Sequence, residues 1–215
     1  MSASDTFDRL SAGEIPIIVV EADGEIHTHP PKNAVILSGS FNPLHVGHER
    51  LLAAAYRITG REPVYELSIT NVDKPPIPKE VIVNRLAQFK GRATLVLTRA
   101  PTFVQKSELL PGSGFAIGYD TATRLFPERY YPPYDPAKDP AHAGSAVALA
   151  MNTLRRNRCS FIVAGRVDAD GRFRTIADIE VPSHYRDLLV QIPEADFRAD
   201  ISSTDLRSKG FGMSS

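Results

Sequence analysis

Cysteine is nearly absent from the chain. Cys159 is the only one, which rules out an intramolecular disulfide and most structural zinc schemes. It heads the apolar run CSFIVAG, where a small buried strand residue is expected. Long hydrophobic runs are missing as well: no stretch approaches the ~20 apolar residues of a membrane span. The opening MSASDTFDRLSAGE has neither the positive n-region nor the apolar h-region of a signal peptide. An excess of one charge is the third absence. Lys+Arg and Asp+Glu both number 25, so nothing draws the chain in bulk toward nucleic acid or an anionic membrane. Any affinity for phosphate must come from a local site. The expectation is a cytoplasmic protein with no nucleic-acid or membrane partner. There is no internal repeat and no low-complexity tract.

The 215 residues, 42% of them hydrophobic, suffice for one well-buried domain. Residues 1–33 read as an N-terminal extension, in which IPIIVVEAD, a DG turn and the proline-bounded HTHPPKN give an edge strand or hairpin. The main domain is expected over 34–215. There the chain alternates between strand-like AVILSG, VYELSIT, ATLVLTR, GFAIGYD, CSFIVAGR and DLLVQIP and helix-like segments. HERLLAAAYRITG ends at a C-capping Gly60. PKEVIVNRLAQFKG has a buried stripe of Ile82, Leu86 and Phe89. TATRLF reads as a short helix, and SAVALAMNTLRRNR gathers its arginines toward its C-terminal end. Residues 127–144 form a proline-rich loop. Short apolar strands separated by helices specify a parallel sheet covered on both faces. The fold class is therefore α/β: a Rossmann-like doubly wound sheet of about five or six strands, with ligands at the carboxyl ends of the strands.

The stretch SGSFNPLHVGHE lies at one such end. Gly39 and Ser40 leave room for a sharp turn with backbone N–H groups turned to an anion, and Pro43 fixes φ within it. A helix beginning near His45 would put His45 and His48 on one face at its positive end. The two imidazoles could be metal ligands, structural side chains or phosphate ligands. A metal needs a third ligand, and the nearest histidines, His27 and His29, lie upstream of the strand. No Gly-Lys-Ser/Thr loop and no G-x-G-x-x-G is present. Far along the chain, DISSTDLR offers Ser202 as an N-cap and Asp205 three residues later. Ser203 and Thr204 add hydroxyls there, with Arg207 about one turn in.

Together, GSFNPLHVGH and the late ISSTDLR resemble the HxGH nucleotidyltransferase superfamily, and most closely the nicotinamide/nicotinate mononucleotide adenylyltransferases. The likeness spans roughly residues 34 to 207. It implies transfer of a nucleoside monophosphate, AMP from ATP, to a small phosphorylated acceptor, with Mg²⁺ on the phosphates. By that resemblance Gly39, Ser40 and Phe41 lie against the nucleotide. His45 and His48 bind the triphosphate and stabilise charge at the α-phosphorus. Ser202, Ser203, Thr204 and Arg207 hold the departing phosphates. Gly118 and Asp120 of GYDTATRL fall near the nucleoside, although helix N-capping accounts equally well for Asp120. Lys74 and Arg166 are further candidates for phosphate contact. No protein-bound metal is implied. The chain lacks the tryptophan that mononucleotide adenylyltransferases commonly place near the nicotinamide ring. Tyr119, Tyr130, Tyr131 or Tyr134 would have to stack in its place. Two alternatives stand beside this reading: a non-catalytic nucleotide-binding protein, and a related adenylyl- or cytidylyltransferase with another acceptor.

Overall fold

The computed structural model describes residues 3–70, 77–135 and 145–198. Lys74, Ser202, Ser203, Thr204 and Arg207 lie outside the described residues. In chain order the strands of the central sheet are β1 (Ile17–Val20), β2 (Ile26–His27), β3 (Ala34–Ser38), β4 (Glu62–Ser68), β5 (Leu95–Thr98), β6 (Gly114–Gly118), β7 (Ser160–Ala164) and, after the β8 (Arg166–Val167) and β9 (Phe173–Arg174) hairpin, β10 (Leu189–Ile192). Their order across the sheet is β10-β7-β6-β3-β4-β5-β1-β2. The six strands from β10 to β5 are parallel. The sheet is thus eight-stranded rather than five- or six-stranded. The two additional strands come from the N-terminal segment, because β1 pairs antiparallel with β5 along its whole length and carries β2 on its outer edge.

Among the described residues, six α-helices accompany the sheet: α1 (Ala3–Ala12), α2 (Val46–Thr59), α3 (Lys79–Leu86), α4 (Phe103–Leu109), α5 (Tyr119–Ala122) and α6 (Ala146–Arg156). Strand residues alternate between two cores. Val35, Leu37, Tyr65 and Leu67 pack on one face with Leu10 of α1, Leu51 and Leu52 of α2, and Ile82 of α3. Ile36, Val64, Phe115 and Phe161 pack on the other with Leu110, beyond α4, and with Met151 and Leu154 of α6. Cys159 is buried just ahead of β7, and burial pushes its thiol pKa up.

Helix ends follow local chemistry. Gly60 closes α2 at φ +64°, a left-handed conformation that glycine adopts without penalty. Ser145 caps α6 by accepting the Ala148 N–H at 3.1 Å. Helix α4 starts at Thr102, whose hydroxyl and the Gln105 side chain form a capping box. The short helix expected over TATRLF falls instead at Tyr119–Ala122. Its N-cap is Gly118 and has no side-chain cap bond, so Asp120 is not the cap.

From β3 the chain winds outward through β4 and β5, then returns to β6 and continues through β7 to β10. The winding direction reverses between β3 and β6, which leaves a crevice beyond their carboxyl ends. The Gly39–Ser40 turn and the Gly118–Asp120 segment flank that crevice.

Candidate active site

The turn after β3 is built around Phe41. This residue adopts φ +46°, and its ring is 0% exposed. It meets Tyr65, Phe89 and His48 edge-on, with centroids 5.4, 5.3 and 5.2 Å away. A Cβ on Gly39 would lie 2.8 Å from the Phe41 ring, so glycine is required there by close approach. The resemblance puts Phe41 against the nucleotide. In that resemblance it is the backbone amide that meets the phosphates; the ring is buried and packs against His48. The Gly39 N–H donates to the Glu66 carbonyl at 3.0 Å, which ties the turn to β4.

His45 is the N-cap of α2. Its Nδ1 accepts the Gly47 N–H at 3.2 Å, and Nδ1 of His48 accepts the His45 N–H at 3.3 Å. The rings stack with centroids 3.7 Å apart. A Cβ on Gly47 would come within 3.0 Å of the His45 ring, which explains the glycine between the two histidines. Because each Nδ1 accepts a backbone proton, each neutral ring carries its own proton on Nε2. Burial lowers both pKa values, and for His48, beside His45, the value falls from 6.5 to about 4. At neutral pH both histidines are therefore uncharged N–H donors at the positive end of a helix.

This has a consequence for stability. The unfolded chain binds a proton at His48 below its ordinary pKa of 6.5, whereas the folded chain resists until about 4. Stability is full above pH 6.5 and declines as pH falls toward 4, with His45 acting in the same direction. Urea melts of wild type and His48→Gln across pH 4.5–7.5 check this. The variant is expected to lose less stability on acidification.

Beside the turn lies a cavity of about 380 Å³, lined by residues that include Ser38, Ser40, Thr70, Arg85 and Lys106. On two of these lining residues, Ser38 Oγ and Arg85 Nε are buried without a hydrogen-bond partner among the described residues. Burial lowers the Arg85 pKa, but a guanidinium stays protonated even so. A guanidinium with one unpartnered N–H and an unpartnered hydroxyl, on residues lining one cavity, form a setting for an oxyanion.

The cavity wall also holds a buried ion pair. Glu66 is 0% exposed and Lys106 5%. Lys106 Nζ donates to both Glu66 oxygens at 2.9 and 2.8 Å, and to the Ala100 carbonyl at 2.7 Å. The Thr98 hydroxyl donates to Glu66 Oε1 at 2.6 Å.

On the other side of the turn, Gly118 ends β6, and Asp120 forms an exposed ion pair with Arg166. Arg166 is thus engaged by a carboxylate. Tyr131 donates its hydroxyl to the Leu125 carbonyl at 2.5 Å, and burial raises its pKa to about 12.

The structure therefore brings Gly39, Ser40, His45, His48, Gly118, Asp120 and Arg166 to the carboxyl ends of the parallel strands. It adds Ser38, Glu66, Arg85 and Lys106, which sequence reasoning missed. One signal for them was legible: Glu66 sits in a strand covered on both faces and so demands a buried partner. Arg85 was hidden inside a segment whose apolar stripe drew the attention.

A family model described as cytidylyltransferase-like matches residues 36–209. The chain belongs to the cytidylyltransferase-like family. With it the chain joins the HxGH nucleotidyltransferases, and its histidine pair stands beyond the carboxyl end of β3. No curated protein matches the chain. Among the described residues, no helix is long and apolar enough to cross a membrane.

Proposed function

We propose that this cytidylyltransferase-like protein transfers a nucleoside monophosphate, AMP from ATP, to a small acceptor that carries a phosphate monoester, and releases pyrophosphate. The observation that carries the reading is the position of the histidine turn. The cavity with Ser38 and Arg85 lies on its β4 side, and Gly118 with Asp120 lies on its β6 side. An acceptor phosphate on Ser38 and Arg85 and a nucleoside near Gly118 would face each other across His45 and His48.

The step needs no protein nucleophile. An oxygen of the acceptor phosphate attacks the α-phosphorus, the bond to the bridging oxygen breaks, and pyrophosphate leaves in line with the attack. The acceptor is already anionic, so no general base is required. The two Nε2–H donors stabilise charge as it develops on the transferred phosphoryl group. Polyphosphate binding adds negative charge beside both imidazoles and draws their pKa values upward, so nucleotide binding below neutrality takes up protons. Ser202, Ser203, Thr204 and Arg207, by the family pattern, hold the β- and γ-phosphates, with Lys74 as a further contact. Tyr119 adjoins the nucleoside side of the crevice.

Mg²⁺ enters this proposal as the companion of the triphosphate, neutralising charge on its oxygens. Among the described residues, no group of three or more His, Cys, Asp or Glu side chains could cage a metal.

The Phe41-Asn42-Pro43 sequence favours a nicotinamide or nicotinate mononucleotide as the acceptor. A related adenylyl- or cytidylyltransferase with another acceptor differs from this reading only in the two ligands. Pyrophosphate release measured with ATP or CTP over a panel of phosphorylated acceptors tests the reading and fixes both ligands. Arg85→Met is expected to raise the acceptor KM roughly tenfold or more, the worth of a charged hydrogen bond, and to leave the nucleotide KM nearly unchanged. Equal effects on both constants would remove Arg85 from the acceptor side.

A further inference from the structure

Gln88 follows the end of α3 and belongs to no recognised motif. Its side chain is part-buried against the histidine turn. Oε1 accepts the Leu44 N–H at 2.8 Å, and Nε2 donates to the Phe41 carbonyl at 3.0 Å. A single amide thus closes two bonds on the main chain of the turn, much as a neighbouring strand would. The next residue, Phe89, packs on the Phe41 ring with centroids 5.3 Å apart. Backbone and ring of the turn are therefore held by two consecutive residues.

What they hold is a conformation with a cost. Phe41 sits at φ +46°, a region that a bulky L residue enters only when its surroundings enforce it. Leu44, whose N–H is clamped, directly precedes the N-cap His45. Phe41, whose carbonyl is clamped, sets its ring nearly perpendicular to that of His48. These two neighbours adjoin the imidazoles, whose Nδ1 atoms are in turn bonded to backbone N–H groups of the same turn. Gln88 Nε2 also approaches the Arg85 carbonyl at 3.4 Å. The same amide thus ties the end of α3 to the turn that carries the histidines.

We propose that Gln88 is a positioning residue for nucleotidyl transfer: it fixes the turn so that the two Nε2–H donors point at the reacting phosphate. The proposal rests on the nucleotidyltransferase reading for its catalytic consequence, and on the geometry alone for its effect on His48. Gln88 touches no reacting atom. Its loss leaves the ligand contacts intact and misplaces the donors, so the effect falls on kcat rather than on KM. A misplacement of about 1 Å is enough to cost on the order of a hundredfold.

The test uses the full chain with two substitutions. Gln88→Met keeps the length of the side chain and removes both bonds. Gln88→Glu keeps an acceptor for Leu44 and, once ionised, has no donor for Phe41. Steady-state kinetics are measured together with the NMR titration of the His48 ring. In Gln88→Met, kcat is expected to fall by roughly 30- to 100-fold with both KM values within about threefold. The His48 pKa is expected to rise from about 4 toward 6.5 as its ring leaves the packed face. Gln88→Glu is expected to show a smaller loss at pH 7 and supplies the answer if the methionine variant does not fold. A folded variant with wild-type kcat and a His48 that still titrates near 4 overturns the proposal. If the wild type transfers no nucleotide, the titration still decides the clamp, and only the functional reading fails.

Discussion

His48→Ala is expected to lower turnover by about two to three orders of magnitude, the loss seen when one preorganised donor to a developing oxyanion is removed. The expectation follows from how the ring is held. Its Nδ1 receives the His45 N–H, its face rests on Phe41, and it stacks on His45. The Nε2–H is therefore aimed before any ligand arrives and needs no reorganisation during the step. Nucleotide affinity is expected to fall much less, because neutral donors add little to the binding of a charged triphosphate. Single-turnover rates at saturating ATP, set beside ATP dissociation constants, separate the two effects. A non-catalytic nucleotide-binding protein predicts the reverse: binding weakened, and no turnover in either protein.

Lys106→Met is expected to give the largest loss of stability. It would leave Glu66 buried without its cation, and removing one partner of a buried pair costs about 3–5 kcal/mol. The Thr98 hydroxyl would remain as a donor to Glu66 and limits the loss toward the lower part of that range. The double variant Glu66→Leu/Lys106→Met is expected to recover most of the stability, because an apolar pair of similar volume needs no desolvated charge. Chemical denaturation of the two singles and the double gives the coupling directly. Additive losses in the double variant would mean that the pair does not act as a unit.

Much of the fold was legible in the sequence because each device that specifies it is local. The six apolar strands and the Gly60 cap act through residues adjacent in the chain. The N-terminal segment was harder to read. IPIIVV shows a strand, but its partner, β5, lies some eighty residues away, and nothing local in the sequence names it. Helix α4 went unread although Thr102 and Gln105 form a capping box, because its segment is short and its apolar positions are few. The site divides along the same line. His45, Gly47 and His48 explain one another within four residues, and so they stand out as a motif. Ser38, Arg85, Glu66 and Lys106 come together only when β3, α3, β4 and α4 pack, and no spacing in the sequence records that meeting. Asp120 and Arg166 were each read alone. The structure joins them beyond the carboxyl ends of β6 and β7.

The central claim is that an acceptor phosphate attacks the α-phosphorus. Phosphorus NMR of wild-type protein incubated with ATP, Mg²⁺ and a phosphorylated acceptor, a mononucleotide first, tests it most directly. The account predicts a new phosphoanhydride joining the acceptor phosphate to the α-phosphorus, formed in equal amount with inorganic pyrophosphate and dependent on the acceptor. ADP with inorganic phosphate, or pyrophosphate that forms equally well without any acceptor, would contradict it.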